Sequence, residues 1–248
     1  MGDTLLLIPA FDEATSLPEV LRRVERAVSD VPVVVVDDGS QDDTARVARA
    51  HGARVLHHPY NLGYGAALQT GYKYALRRGF RFLVQMDADG QHDPAQISRL
   101  LEPLRAGDCD LVIGSRFLER SGYRMSLLMR AGREFFRVLA RLLGVDVTDP
   151  TSGFQAMNRE VLGLYIGDFF PSDFPDADVL LMAHRSGARV REVSVHMSEG
   201  ARGSRIHGGI RILYYPYKML LSLWAASARP SASGGRAPEE RYDERTAD

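Results

Sequence analysis

The chain has 248 residues, 45% apolar and 25% charged, with a formal net charge of −1. That balance fits a soluble globular protein with one large domain, or at most two small ones, and the charge alone names no partner. The single cysteine, Cys109, excludes an internal disulfide and offers no cysteine-based metal site, so a reducing cytoplasmic setting is expected.

In chain order, the first 115 residues alternate short apolar runs with helical patterns. TLLLI (4–8), VPVVVV (31–36), ARVLHH (53–58), FRFLVQM (80–86) and CDLVIG (109–114) predict strands. They are nearly continuous in apolar residues, as strands buried on both faces should be. Helices are predicted near 13–29, 42–51, 65–78 and 94–106, the last starting with Asp93 as cap and Pro94 in the first turn. This order predicts an α/β fold with a doubly wound, mainly parallel sheet. Ligands of such sheets bind outside the carboxyl ends of the strands. Those ends carry PAFDE, DDGSQDD, DADGQ and GSR.

After residue 115 the alternation breaks. Residues 125–143 predict an amphipathic helix with Leu128, Phe135, Leu139 and Leu142 on one side and Arg130, Arg133, Arg137 and Arg141 on another. DPTSGFQ (149–155) reads as a turn-rich loop, 176–187 as a helix and 188–197 as a strand. Residues 206–226 form a second amphipathic segment rich in aromatics, and a polar tail from Arg229 is expected to be disordered. The N-terminus has no basic region before its short apolar run, so no signal peptide is expected. Leu6 stands where a myristoylation motif needs Ser or Thr. No apolar window is long enough for a transmembrane helix.

The acidic loop QMDADGQHDP (85–94) admits a polar turn, an acid/base pair or part of a divalent-ion shell. An EF-hand reading fails, because the glycine falls fourth from Asp87 and Ser98 stands where the closing glutamate belongs. The stretch NLGYGAALQTG (61–71) fails the dinucleotide pattern, with Leu68 in place of the third glycine.

Taken together, PAFDE, VVDDGS, NLGYGAA, DADGQHDP, GSR and DPTSGF in this order resemble the family 2 glycosyltransferases of A-type fold, above all the dolichyl- or polyprenyl-phosphate mannose and glucose synthases. The resemblance covers roughly residues 4–220, and DADGQHDP and DPTSGF are its most specific parts. It implies that Pro9, Phe11 and Glu13 lie along the nucleoside diphosphate and that Val36 and Asp38 lie near the base. Asp87, Ala88 and Asp89 would lie under the diphosphate and sugar, with Asp89 and Gln91 as ligands of Mg²⁺ or Mn²⁺. Arg116 would sit near the reacting phosphates, making Asp87, Asp89 and Arg116 the candidate catalytic residues. Such relatives often have Asn where this chain has Asp12. Their late loop has an arginine three residues before a glycine, where this chain has Gly200; Arg202 or Arg205 is carried over as the substitute contact to the donor phosphates.

A lipid phosphate acceptor is already anionic and needs cations, for which Arg130 and Arg133 are suited. A sugar hydroxyl would need a base, for which Asp176 or Asp178 is the candidate; both also suit a helix N-terminus. Tyr214, Tyr215, Tyr217 and Trp224 with Arg211 and Lys218 suit a membrane interface. The expectation is thus a glycosyltransferase A-type domain over 1–200, an amphipathic membrane-associated segment over 201–228 and a disordered tail over 229–248. It would be an inverting, metal-dependent hexosyltransferase moving sugar from GDP-mannose or UDP-glucose to a polyprenyl phosphate, peripheral on the cytoplasmic face of the membrane. Direct surface binding or a small membrane-protein partner would hold it there, and nucleic acid is not an expected partner. Transfer to a glycan hydroxyl, or a non-catalytic nucleotide-sugar-binding module, are the alternatives.

Overall fold

The structure, a computed structural model, describes residues 2–118, 134, 137–138, 141–142, 144–173, 175 and 177–197. Seven strands form one sheet: β1 (Thr4–Ala10), β2 (Val33–Asp37), β3 (Arg54–His57), β4 (Phe82–Gln85), β5 (Leu111–Ser115), β6 (Gln155–Asn158) and β7 (Val190–Ser194). Their order is β3-β2-β1-β4-β6-β5-β7. All neighbouring pairs are parallel except those of β6, which runs antiparallel to both β4 and β5.

Helices α1 (Leu17–Val28), α2 (Thr44–Ala50), α3 (Tyr64–Arg77), α4 (Ile97–Arg105), α5 (Arg159–Tyr165) and α6 (Ala177–Arg185) flank the sheet. Side chains alternate across a strand, and β1 shows the consequence. Leu5 and Leu7 enter a core shared with α3, α5 and α6, whereas Leu6 and Ile8 enter a second core with α1 and α4. Every residue of β1 is buried, and full burial of one such leucine contributes about 1.5–3 kcal/mol. Gly71 lets α3 lie close on β1, since a Cβ there would stand 2.3 Å from Leu7 Cδ1.

The expected strands and the first four helices are present. The turn-rich reading of 149–155 holds up to Phe154, but β6 and α5 follow it directly and were not anticipated. β6 is four residues, QAMN, without a β-branched side chain, so periodicity gives it no signal. α5 did carry one, because Asn158 caps it by accepting from the backbone N–H groups of Glu160 and Val161. The antiparallel course of β6 has a positional result. Its leading loop, 149–154, arrives at the same sheet edge as the carboxyl ends of β1, β2, β4 and β5.

Most of 125–143 and all of 206–226 lie outside the described residues. Within the former, Leu142, expected on the apolar side, is 78% exposed, and Arg137 donates to the Glu134 carboxylate at 3.0–3.1 Å. Among the described residues no helix is long and apolar enough to cross a membrane.

Candidate active site

The loops after β1 and β2 are stitched together. Pro9 pairs in register with Val36, and Ala10 with Asp37. Beyond them the Asp12 N–H donates to Ser40 Oγ (3.0 Å), Gln41 N–H to Asp12 Oδ1 (2.8 Å), Glu13 N–H to Thr44 Oγ1 (2.8 Å) and Ala14 N–H to Asp42 Oδ2 (3.1 Å). Asp12 has φ +53°, the left-handed region that Asp and Asn tolerate best among non-glycine residues. That tolerance gives a physical reason for Asp or Asn at this position. Phe11 is 36% exposed, and the Glu13 carboxylate accepts from Ser16 Oγ.

Asp37 and Asp38 are both buried. Asp37 Oδ1 accepts from Ser40 N–H at 3.1 Å and so caps the turn, while Oδ2 meets His57 Nδ1 at 2.9 Å. Asp38 Oδ1 accepts from Leu62 N–H at 2.9 Å and meets His58 Nδ1 at 2.7 Å; its Oδ2 accepts from Gly63 N–H at 2.9 Å. Behind it, His58 Nε2 reaches Thr70 Oγ1 on α3 at 2.9 Å. Asp38 therefore holds the 61–63 loop that opens α3.

β4 ends at Gln85, and the acidic loop follows. Asp87 Oδ1 accepts from the Tyr64 hydroxyl at 2.7 Å, and its backbone N–H donates to His92 Nδ1 at 3.0 Å. That bond leaves the His92 proton on Nε2, which lies 3.7 Å from Asp87 Oδ2. His92 is buried and stacked on Phe154, and burial pushes its pKa down to about 4, so the ring is neutral near pH 7. Gly153 lies close against Asp87, since a Cβ there would meet Asp87 Oδ2 at 2.8 Å. Asp89 Oδ1 accepts from Gln91 N–H at 2.9 Å and Oδ2 from Gln91 Nε2 at 2.7 Å. From α1, Arg23 donates to Gly90 O at 3.0 Å and lies 3.5 Å from Asp93. Asp93 Oδ1 caps Pro94–Gln96 by accepting from Ala95 N–H.

Desolvation, the largest cause, raises the pKa of both Asp87 and Asp89. The Asp87 charge raises Asp89 further, while the Tyr64 hydroxyl and the field of Arg116 pull Asp87 back. Two partly buried carboxylates thus lie close enough for one charge to act on the other, and among the described residues no cationic side chain pairs with Asp89. This donor set fits a hard divalent cation: two carboxylates and one amide, all oxygen donors. No group of three or more carboxylate, imidazole or thiol ligands converges among the described residues, so the rest of such a shell would come from phosphates and water. Gln91 here orients Asp89 through its amide nitrogen; rotating that amide offers its oxygen instead.

Arg116 follows β5, and its guanidinium grips Asp149 in a two-point pair, Nε to Oδ2 and Nη2 to Oδ1, both 2.7 Å. Asp149 is wholly buried. The two-point geometry fixes the guanidinium plane close enough to Asp87 for its charge to lower that group's pKa. On the other flank, His92 bridges to Met197 beyond β7, and Gln96 exchanges two 2.9 Å bonds with the backbone of His196.

The structure therefore brings Pro9, Phe11, Glu13, Val36, Asp38, Asp87, Ala88, Asp89, Gln91 and Arg116 to one edge of the sheet. Arg130, Arg133, Asp176, Arg202 and Arg205 lie outside the described residues. Asp178 lies in the first turn of α6, is buried and accepts from the Val179 N–H at 2.9 Å; its charge raises the pKa of Tyr165, after burial. Sequence reasoning missed Tyr64, His92, Asp149, Gly153 and Glu192. A tyrosine at the start of a helix, after a glycine loop on the ligand edge, was a usable signal for the first. Glu192 in mid-strand had none.

The domain model described as Glycosyl transferase family 2 matches residues 6–165. The chain is 40% identical over 173 residues to the polyprenol monophosphomannose synthase of Mycolicibacterium smegmatis, a match spanning 64% of this chain and 63% of that protein. It is 36% identical over 221 residues to the undecaprenyl-phosphate mannosyltransferase of Micrococcus luteus, covering 83% and 88%. Among solved structures, glucosyl-3-phosphoglycerate synthase from Mycobacterium tuberculosis, in complex with Mn²⁺, UDP and glucosyl-3-phosphoglycerate, superposes with a TM-score of 0.67 at 22% identity, covering 93% of this chain and 82% of that one. At that identity the likeness establishes the A-type fold.

Proposed function

The chain belongs to glycosyl transferase family 2, and we propose that it moves one hexose from GDP-mannose or UDP-glucose to a polyprenyl phosphate, inverting the anomeric centre. One observation carries the reading. The carboxylate pair Asp87/Asp89 and the clamped Arg116 meet at one sheet edge, in a chain 36% identical to an undecaprenyl-phosphate mannosyltransferase over most of both lengths.

In this reading Phe11 offers a stacking face to the base beside the Pro9–Val36 rim, and Asp38 holds the 61–63 loop against it. Asp87, kept in place by Tyr64, His92 and Gly153, lies under the sugar and diphosphate. Asp89, oriented by Gln91, holds Mg²⁺ or Mn²⁺, which when bound supplies Lewis-acid stabilisation of the leaving diphosphate. Arg116 adds a fixed positive charge where negative charge builds, which needs no reorganisation during the reaction. The lipid phosphate attacks without a general base because it is already anionic. Arg130 and Arg133 are proposed to hold it, and Arg202 or Arg205 to contact the donor phosphates. Residues 1–200 would then be the catalytic domain, 201–228 the membrane-facing segment on the cytoplasmic side and 229–248 a tail.

The test is a donor panel with a polyprenyl phosphate in detergent, with and without Mn²⁺ or Mg²⁺, read by mass spectrometry. Metal-dependent formation of a lipid-phosphate hexose is expected. Transfer to glycan hydroxyls without lipid would overturn the acceptor assignment. Nucleotide-sugar binding with no turnover on any acceptor would leave a non-catalytic binding module.

A further inference from the structure

We propose that Glu192 is a positioning residue of the transfer site: it locks the turn at 148–149 and the backbone around Arg116, and so fixes the guanidinium beside Asp87. Glu192 sits in the middle of β7, in register with Ile113 of β5. Its Oε2 accepts from Thr148 N–H at 2.8 Å, and its Oε1 accepts from Asp149 N–H at 2.9 Å and from Thr148 Oγ1 at 3.1 Å. Two successive backbone amides thus converge on one carboxylate.

A second tie runs through hydroxyls. Phe117 N–H donates to Ser115 Oγ at 3.1 Å, and Ser115 Oγ lies 2.7 Å from Thr148 Oγ1. A hydroxyl donates only one hydrogen. With Thr148 donating to Glu192, Ser115 must donate to Thr148, and the chain runs Phe117 to Ser115 to Thr148 to Glu192. Both neighbours of Arg116 are therefore anchored to this carboxylate by the same path. The Asp149 amide is anchored directly, and the Asp149 side chain grips Arg116 at two points. Arg116 also donates its own backbone N–H to Asp149 Oδ2 at 3.2 Å. The result is a closed ring of Glu192, Thr148, Ser115, Arg116 and Asp149.

The choice of a carboxylate here is informative. Burial raises the Glu192 pKa, and the nearby Asp149 charge raises it further. Among the described residues its partners are amides and a hydroxyl, with no cation paired to it. A partly buried anion offset only by neutral donors is a costly way to close a turn. It does offer what an amide side chain cannot: acceptor sites on both oxygens for three converging donors.

The proposal rests on Arg116 attending the leaving diphosphate, so its test has an arm independent of turnover. Glu192→Gln must turn an NH₂ toward at least one N–H donor, opening the ring on one side. Since a misplacement of about 1 Å costs roughly 100-fold, kcat should fall by at least 10-fold while the donor KM moves less than 3-fold. Against an Arg116→Ala background the same change should cost less than 2-fold, because the residue it serves is gone. In NMR, the Arg116 Nε–H resonance, assigned by its loss in Arg116→Ala, should be protected from exchange in the wild type and exposed in Glu192→Gln. If Glu192→Gln does not fold, Thr148→Val keeps both backbone bonds and breaks only the hydroxyl chain; a 3- to 10-fold loss is expected, again absent in the Arg116→Ala background. Wild-type kcat in a folded Glu192→Gln protein, losses additive with Arg116→Ala, or an unchanged Nε–H resonance would each overturn the proposal. Should no donor give lipid-linked sugar with the wild type, the functional reading fails, and the resonance still decides whether Glu192 fixes Arg116.

Discussion

Gly153→Ala adds one methyl group, and its first contact is the Asp87 carboxylate. The added Cβ would stand 2.8 Å from Oδ2 and 3.2 Å from Oδ1, against an ordinary contact of 3.4–4 Å. Asp87 must therefore retreat by about 0.6 Å or turn. It does not retreat freely, because Oδ1 is held by the Tyr64 hydroxyl and the backbone by His92. The clash falls on the end of a side chain rather than on backbone, and Gly153 has no positive φ, so the fold should survive with a stability loss of about 1 kcal/mol, the low end for overpacking. Transfer should suffer more. Scaled from roughly 100-fold for 1 Å, a 0.6 Å displacement costs on the order of 10-fold in kcat/KM for the nucleotide-sugar. Steady-state kinetics with the sugar nucleotide and polyprenyl phosphate, beside a thermal melt, separate the two effects. Wild-type kcat/KM in Gly153→Ala would refute the idea that the 149–154 loop braces Asp87.

Tyr64→Phe removes only the hydroxyl that donates to Asp87, and a hydrogen bond to a charged group is worth about 1.5–3 kcal/mol; the melting temperature should fall by a few degrees and kcat/KM roughly 10- to 100-fold, and an unchanged rate would return Tyr64 to a packing role. Asp89→Asn should abolish Mn²⁺-dependent turnover, yet the metal-free variant should melt no lower than wild type, because it removes one of two neighbouring, partly desolvated like charges; a clear loss of thermal stability would count against that picture. Asp110 lies on the opposite edge, where hydrogen bonds from Arg189, the largest cause, hold its pKa below the ordinary 3.8. Its stabilising contribution is present above the unfolded value and lost as pH falls through the lower folded value. Melting curves of wild type and Arg189→Gln from pH 6 to pH 2 should therefore converge on acidification, and parallel curves would exclude the linkage.

The sheet was legible because β1, β2, β4 and β5 are short, nearly continuous apolar runs of strand length, as strands buried on both faces require, and because polar residues collected at their carboxyl ends. Asp93-Pro94 was legible for a local reason, a cap followed by a residue lacking the N–H that helix starts leave unbonded. β6 was hidden because four residues of mixed character carry no period, and its antiparallel course could not be read from an alternation that had already ended. In the site, Asp87, Asp89 and Arg116 were found by motif, but what they do in the structure depends on partners far along the chain: Tyr64, His92, Gly153 and Asp149. Those contacts are made by sheet order, which brings the 149–154 loop beside β4 and β5.

Sheet order also explains why the site has two differently built halves. The donor-side rim is made of consecutive βα loops whose backbone amides and short polar side chains tie neighbour to neighbour, as Asp12 with Gln41 and Asp38 with Gly63 show. Such local ties follow from a parallel alternation and are visible as DE, DDGS and NLG motifs. The half around Arg116 lacks that support, because β6 interrupts the parallel order between β4 and β5. There the chain substitutes two carboxylates, the buried Asp149 and the partly buried Glu192, for the missing loop-to-loop stitching. The arginine that would meet the developing charge is therefore held by Asp149, 33 residues along the chain, whose turn is held in its place by Glu192, 44 residues beyond Thr148. Substitutions in this half should change the placement of charge before they change the fold, whereas substitutions at Asp12 or Asp38 should loosen the rim itself.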